Sequence, residues 1–139
     1  MAETNASRIS EFWDTLYSRD FDKIATFFAD DATYTDIATP PDDLAVGPEQ
    51  IVARLRLGIE PISEYRHGGG HSISEGDFVI TEHKEIWGWH TGESVTLPFV
   101  SVHELRDLMI VRWTDYWDLT TLLNAAPTWW VEQIAAGYL

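Results

Sequence analysis

The chain contains no cysteine, so it can build neither a disulfide framework nor a thiolate nucleophile, and no thiolate metal site. Basic residues are scarce: Lys and Arg total 9 against 23 Asp and Glu, a formal charge of -14. A surface of that sign repels phosphate backbones and anionic headgroups, which argues against nucleic acid and membranes as partners. Apolar runs of about 18 residues are missing. The opening MAETNASRISEFW has no basic segment leading into an apolar stretch, so a cytoplasmic location is the expectation.

What the chain does have is large apolar side chains: 45% of residues are hydrophobic and 13% aromatic, with seven Trp. Its 139 residues suit one continuous core, so a single domain over 1–139 is expected. Apolar residues at three-four spacing, Ile9, Phe12, Trp13, Leu16 and Tyr17, predict a helix over 7–18. Asp20 is placed to cap a second short helix to Ala29, closed by Asp30 and Asp31. A strand over 32–37, a proline- and aspartate-containing surface loop over 38–47, and a helix from Pro48 to about Ile59 follow.

Beyond Pro61 the period changes to two, over roughly 63–73, 77–89, 94–105 and 109–119, with turn sequences between. These read as the antiparallel strands of a meander. The tail from Thr128 to Leu139, with Trp129, Trp130, Val131, Ile134 and Tyr138, predicts an apolar helix that lids a pocket or lines a dimer. Helices preceding a long, curved sheet give an α+β cone-shaped domain, the N-terminal helices packed on a mixed or antiparallel sheet around a central apolar pocket.

Alternate residues of a strand share a face, so Asp115 stands alone in the apolar row Met109, Val111, Trp113, Trp117, Leu119. A carboxylate in such a row needs a partner or a raised pKa, and perturbed carboxylates in clefts are candidate acids or bases. His83 and Glu85 share the face of Val79, Thr81, Trp87 and Trp89, a possible proton-transfer pair, while Glu82 and Lys84 point to solvent. Tyr34 and Asp36 share a face of the first strand.

His67 and His71 flank Gly68-Gly69-Gly70 without a regularly spaced third ligand, so no metal site is assigned and the glycines read as a bulge. His90 and His103 are expected to be exposed. The tryptophans read as core first and ligand platform second.

The segments FADDATYTDI followed by PP, VITEHKEIW and IVRWTDYWDL resemble the nuclear-transport-factor-like superfamily over most of the chain. The pattern is most similar to the limonene-epoxide hydrolase group, whose site combines Arg-x-Asp, Trp-x-Asp-Tyr-x-Asp and Tyr-x-Asn. SnoaL-like polyketide cyclases share the later aspartate. The resemblance implies a water-activating role for Asp115, a proton-donating role for Glu85 and a water-positioning role for Tyr34. The group's bridging arginine falls on His83 and its asparagine on Asp36. FADDATYTD also resembles the ketosteroid isomerase segment, which would put a base on Asp36, while that family's oxyanion-hole tyrosine and aspartate fall on Phe12 and Val100.

The combined expectation is a cofactor-independent acid–base enzyme acting on a neutral apolar small molecule. Its concrete form is epoxide hydrolysis by direct water attack, with Asp115, Glu85, His83, Tyr34 and Asp36 as the site and His83 linking the two carboxylates. The alternatives are cyclase- or isomerase-like proton transfer and a non-catalytic ligand-binding domain. Trp87, Trp113, Trp117, Phe99, Leu97 and Phe12 are expected to wall the pocket, and the chain is expected to form a homodimer.

Overall fold

The structure, a computed structural model, describes residues 2–138 without the side chain of Tyr138. Leu139, where the last helix was expected to end, and the Tyr138 side chain lie outside the described residues. The elements run α1 (Asn5–Ser18), α2 (Phe21–Ala25), β1 (Phe28–Asp36), β2 (Ala45–Val46), α3 (Gly47–Ile59), β3 (Glu64–Glu75), β4 (Phe78–Gly88), β5 (Ser94–Arg106), β6 (Met109–Trp117), α4 (Leu119–Ala125) and α5 (Thr128–Tyr138).

Thr4 starts α1 with a capping box: Ser7 N donates to its hydroxyl at 3.1 Å and its own N–H donates to Ser7 Oγ at 2.9 Å, which satisfies donors the first turn would leave open. The helix buries Ile9, Phe12, Trp13, Leu16. Asp20 caps α2 through Lys23 N, but that helix stops at Ala25. Phe28 to Asp31, expected to finish it, belong to β1 instead. Phe27 and Phe28 are both buried as the chain enters the sheet, and pairing with β6 outweighs the local helical pattern.

The sheet has the order β2-β1-β6-β5-β4-β3. β3 through β6 form the antiparallel meander, and β1 returns to pair in parallel with β6, Tyr34 opposite Trp113 and Asp36 opposite Asp115. The sheet is therefore mixed, curls without closing, and carries the N-terminal helices on its concave side, the α+β cone expected. The register of β3 on β4 shifts between His67 and Gly70, so the glycine run is a bulge.

Two elements lay outside the sequence reading. β2 interrupts the 38–47 loop, and α4 follows the sheet, capped by Asp118, whose Oδ2 accepts from Thr121 N at 3.1 Å. α5 then crosses the open end of the cone, with Trp130 buried and its Nε1 donating to Gly58 O at 3.1 Å. No described helix is long and apolar enough to cross a membrane.

Candidate functional site

A cavity of about 510 Å³ lies between the concave sheet face and α3, α4 and α5. Its walls include Tyr34, Tyr65, Trp87, Phe99, Trp113, Trp117 and Trp130, and its ionisable lining groups are Asp36, Asp43, Arg54, Glu85 and Asp115 besides the two tyrosines. An aromatic wall with a few convergent polar groups is the usual form of a small-molecule site. Phe12 and Leu97 were expected on that wall and do not line it. Phe12 packs behind Trp113 with ring centres 5.1 Å apart, and Leu97 is in the core.

Asp115 sits on β6 with 6% of its surface exposed. Ser101 Oγ donates to its Oδ1 at 2.6 Å, Trp113 Nε1 donates to the same oxygen at 2.7 Å, and Tyr34 OH donates to Oδ2 at 3.2 Å. Burial nevertheless dominates and, with the charge of Glu85 nearby, pushes the carboxyl up to about 8.

Glu85 on β4 is equally buried. Tyr17 OH and Tyr65 OH donate to its Oε2 at 2.5 and 3.1 Å, and Trp87 Nε1 donates to Oε1 at 3.1 Å. Desolvation still raises its pKa against those donors. The same burial, with Glu85 beside them, pushes both phenols upward, so they remain protonated donors. Asp36 on β1 is buried and raised as well, moderated by Ala38 N, Arg54 and Tyr34.

His83 is 3% exposed and was expected to link the two carboxylates. It does not. Its Nε2 lies 2.9 Å from Ser101 Oγ, so its link to Asp115 runs through that hydroxyl, and its Nδ1 has no partner among the described residues. Burial and neighbouring His67 hold the ring down to about 4, so it is neutral where an arginine would be charged. His103, expected to be exposed, is fully buried; His90 is exposed. Among the described residues no group of three or more His, Asp or Glu is arranged for a metal.

Tyr34, Asp36, Glu85 and Asp115 thus converge on one cavity, while His83 lies outside its lining and reaches Asp115 through Ser101. Tyr17, Tyr65, Ser101 and Arg54 were missed. Ser101 was legible as the lone hydroxyl in the inward row Leu97, Phe99, His103, Leu105. Tyr17 and Tyr65 look like ordinary core aromatics until Glu85 is placed against them, and Arg54 reaches the mouth from the exposed pattern of α3, held by Asp43 O and Oδ1 at 2.9 and 3.0 Å.

This fold recurs in solved structures. A candidate SnoaL-like polyketide cyclase from Shewanella putrefaciens is 16% identical and aligns over 90% of this chain and 97% of its own with a TM-score of 0.76. An LEH-like epoxide hydrolase of M. tuberculosis is 19% identical over 96% of this chain and 91% of its own, TM-score 0.70. A protein with a ketosteroid isomerase-like fold from Catenulispora acidiphila, in complex with trimethylamine, is 21% identical over 88% of this chain and 93% of its own, TM-score 0.76. At these identities the likeness is one of fold. The SnoaL-like domain model matches residues 9–113, from the first buried turn of α1 to the tryptophan that supports Asp115, and the chain belongs to the SnoaL-like domain family.

Proposed function

We propose that the chain is a cofactor-independent acid–base enzyme acting on a neutral apolar small molecule, and that its reaction is the addition of water to an epoxide. One observation carries this reading: Asp115 and Glu85 are both buried on one aromatic cavity, burial raises both carboxyls, and the charge of Glu85 raises Asp115 further. Two carboxyls that share a dry cavity cannot both ionise cheaply, so one proton between them yields a base and an acid in the same site.

The active form is the fraction in which the shared proton sits on Glu85, since Asp115 is itself raised to about 8: there Asp115, as carboxylate, takes a proton from water while Tyr34 OH donates to its Oδ2. The water oxygen forms a bond to an epoxide carbon, the carbon–oxygen bond of the ring breaks, and the proton of Glu85 goes to the released oxygen. Asp115 ends protonated and Glu85 ionised, so a proton must leave one and return to the other before the next turnover. Tyr17, Tyr65 and Trp87 stabilise the Glu85 carboxylate that forms.

A second reading, cyclisation or isomerisation of a carbonyl compound, is favoured by Asp36. This third buried carboxyl lines the same cavity beside Tyr34 and is placed to take a carbon-bound proton. The missing arginine bridge at His83 weighs on the same side.

The test is turnover of apolar epoxides, beginning with cyclohexene oxide, in heavy-oxygen water. Direct attack puts one solvent oxygen into the diol even in a single turnover, with no ester left on the protein. Label carried first into a protein carboxyl overturns the water mechanism. Rearranged carbonyl products without diol favour the second reading, and binding without any turnover leaves a ligand-binding domain.

A further inference from the structure

Asp115 and Glu85 are buried on the cavity, and every donor that the structure places on them is neutral. Ser101, Trp113 and Tyr34 serve the first, Tyr17, Tyr65 and Trp87 the second. Hydroxyls and indoles soften the cost of burying a charge without bringing a charge of the opposite sign. The cation among the lining residues, Arg54, is bonded to Asp43 O and Oδ1 at 2.9 and 3.0 Å, and His83 is neutral and outside the lining. The negative charge that Asp115 and Glu85 share is therefore answered by dipoles. A third buried carboxyl, Asp36, stands opposite Asp115 in the register of β1 on β6, lines the same cavity and has no part in the addition of water.

The bonding leaves room for a further donor. Asp115 Oδ1 accepts two hydrogen bonds and Oδ2 one, while Glu85 Oε2 accepts two and Oε1 one. A carboxylate oxygen can take two, so Oδ2 and Oε1 each have capacity for an N–H. Trp87, Trp113 and Trp130 spend their own N–H groups on Glu85, Asp115 and Gly58 O, so what they offer a ligand is ring surface. Ring faces attract an organic cation. A metal ion is a poorer fit, since among the described residues no group of three or more His, Asp or Glu is arranged to hold one.

We propose that this cavity binds lipophilic amines as ammonium ions, their N–H groups on Asp115 and Glu85 and their hydrocarbon body among the tryptophan rings. The ion supplies the positive charge that the buried carboxyls lack, and at about 510 Å³ the cavity has the size of a small-molecule site. The substrate of the proposed reaction is neutral, so the amine is a second ligand class that competes with it. The two share only the cavity and its carboxyls. The formal charge of -14 draws any cation to the surface of this chain. That attraction is screened by salt and is indifferent to the hydrocarbon body, whereas an ion pair inside a dry cavity is screened little.

The experiment is calorimetry at about pH 8, where an alkylamine is still charged, in about 0.5 M sodium chloride. Its probes are cyclohexylmethylamine, the matched alcohol cyclohexylmethanol, and methylammonium. The larger amine should bind more tightly than the alcohol and than methylammonium, by about tenfold or more in each case. In Asp115→Asn/Glu85→Gln the preference for amine over alcohol should shrink to about twofold or less. An alcohol that binds as tightly as the amine, methylammonium that matches it, or a preference that survives in the double variant overturns the proposal. Should the double variant fail to fold, wild-type protein with nitrogen-labelled tryptophan decides. The amine should shift the indole N–H resonances of Trp87 and Trp113, which donate to the two carboxyls, more than the alcohol does, and unmoved resonances reject the site. Amine binding without any opening of epoxides removes the proposed reaction and keeps the amine site, and turnover without a preference for the amine removes only the site.

Discussion

His103 and Trp113 face one another across β5 and β6 and stack with ring centres 5.4 Å apart and 20° between planes, and neither imidazole nitrogen has a partner among the described residues. Phe12 closes the edge of the same ring at 5.2 Å. An imidazole used in this way is a small aromatic that must stay uncharged, and burial holds it down to about 3.

The first prediction concerns acid stability. His103 and His83 have folded pKa values of about 3 and about 4 against an ordinary 6.5, so below pH 6.5 the unfolded chain binds protons that the folded chain refuses. Their stabilising effect is complete above 6.5 and is lost as pH falls toward 3. His103→Phe keeps the stack and removes one of the two sites. It should raise stability at pH 5 relative to wild type by on the order of a kcal/mol, and less at pH 7.5. Urea unfolding at the two pH values checks this, and equal pH dependence in the two proteins would refute it.

Asp115→Asn should fold and lose turnover by about a hundredfold or more, because the base is gone while the shape stays. The amide oxygen still accepts from Ser101 and Trp113, and the amide nitrogen can donate to the Tyr34 oxygen. Asp115 is raised from 3.8 to about 8, so in wild type the folded state holds its proton more tightly. That contribution is present below 3.8 and is lost as pH rises to about 8. The Asn variant lacks this decline and should gain on wild type between those values. Retained activity would remove Asp115 from the mechanism.

The parts of this molecule that were legible in the sequence are those where local pattern and tertiary demand agree. α1, α3, β4, β5 and β6 follow from periodicity because each buries one side, whereas β3 was legible from its alternating sequence although it buries only Tyr65. Phe28 to Asp31 were misread because a helix-compatible stretch enters the sheet, where Phe28 pairs with Ile110 of β6 and the register shifts before Thr33. Asp118 as a cap for α4 was overlooked beside the stronger Trp-rich strand. At the site, the carboxylates stood out as polar residues in apolar rows. Tyr17 and Tyr65 did not, since a phenol in a core row is unremarkable until the fold supplies its partner, whereas Ser101, the lone hydroxyl of its inward row, carried a signal that went unused. His103 was misplaced for a related reason: nothing in the sequence distinguishes a histidine used as an aromatic filler from one on the surface.

Homodimer formation was expected partly from the aromatic tail, yet Trp130 is buried within its own chain and Trp129 stacks on His90 at 4.9 Å. The apolar surface that remains exposed includes Ile73, Phe78, Ile80 and Tyr116 on the strands. Pairing of two copies through that face should give a dimer in sedimentation at micromolar protein, weakened by Ile80→Glu. A monomer under those conditions contradicts it.

The last prediction concerns ligand charge. The cavity is walled mainly by aromatic rings, and its charged lining groups are Asp36, Asp43, Glu85 and Asp115 against a single cation, Arg54. Arg54 is already held by Asp43 O and Oδ1 and lowers the pKa of Asp36, so its charge is largely answered by neighbouring carboxylates. A ligand carboxylate would therefore enter a dry space beside the one negative charge that Asp115 and Glu85 share, adding repulsion to the cost of its own desolvation. A neutral ligand of the same shape gains the aromatic burial without either penalty. Calorimetry at neutral pH on matched pairs, cyclohexene oxide against its carboxylated analogue and a larger neutral bicyclic against its acid, should show the neutral member binding more tightly, by about tenfold or more. The preference should narrow at low pH, where the ligand acid is neutral. Tighter binding of the carboxylates at neutral pH would mean that Arg54 is available to ligand, and would overturn the charge balance assigned to the cavity.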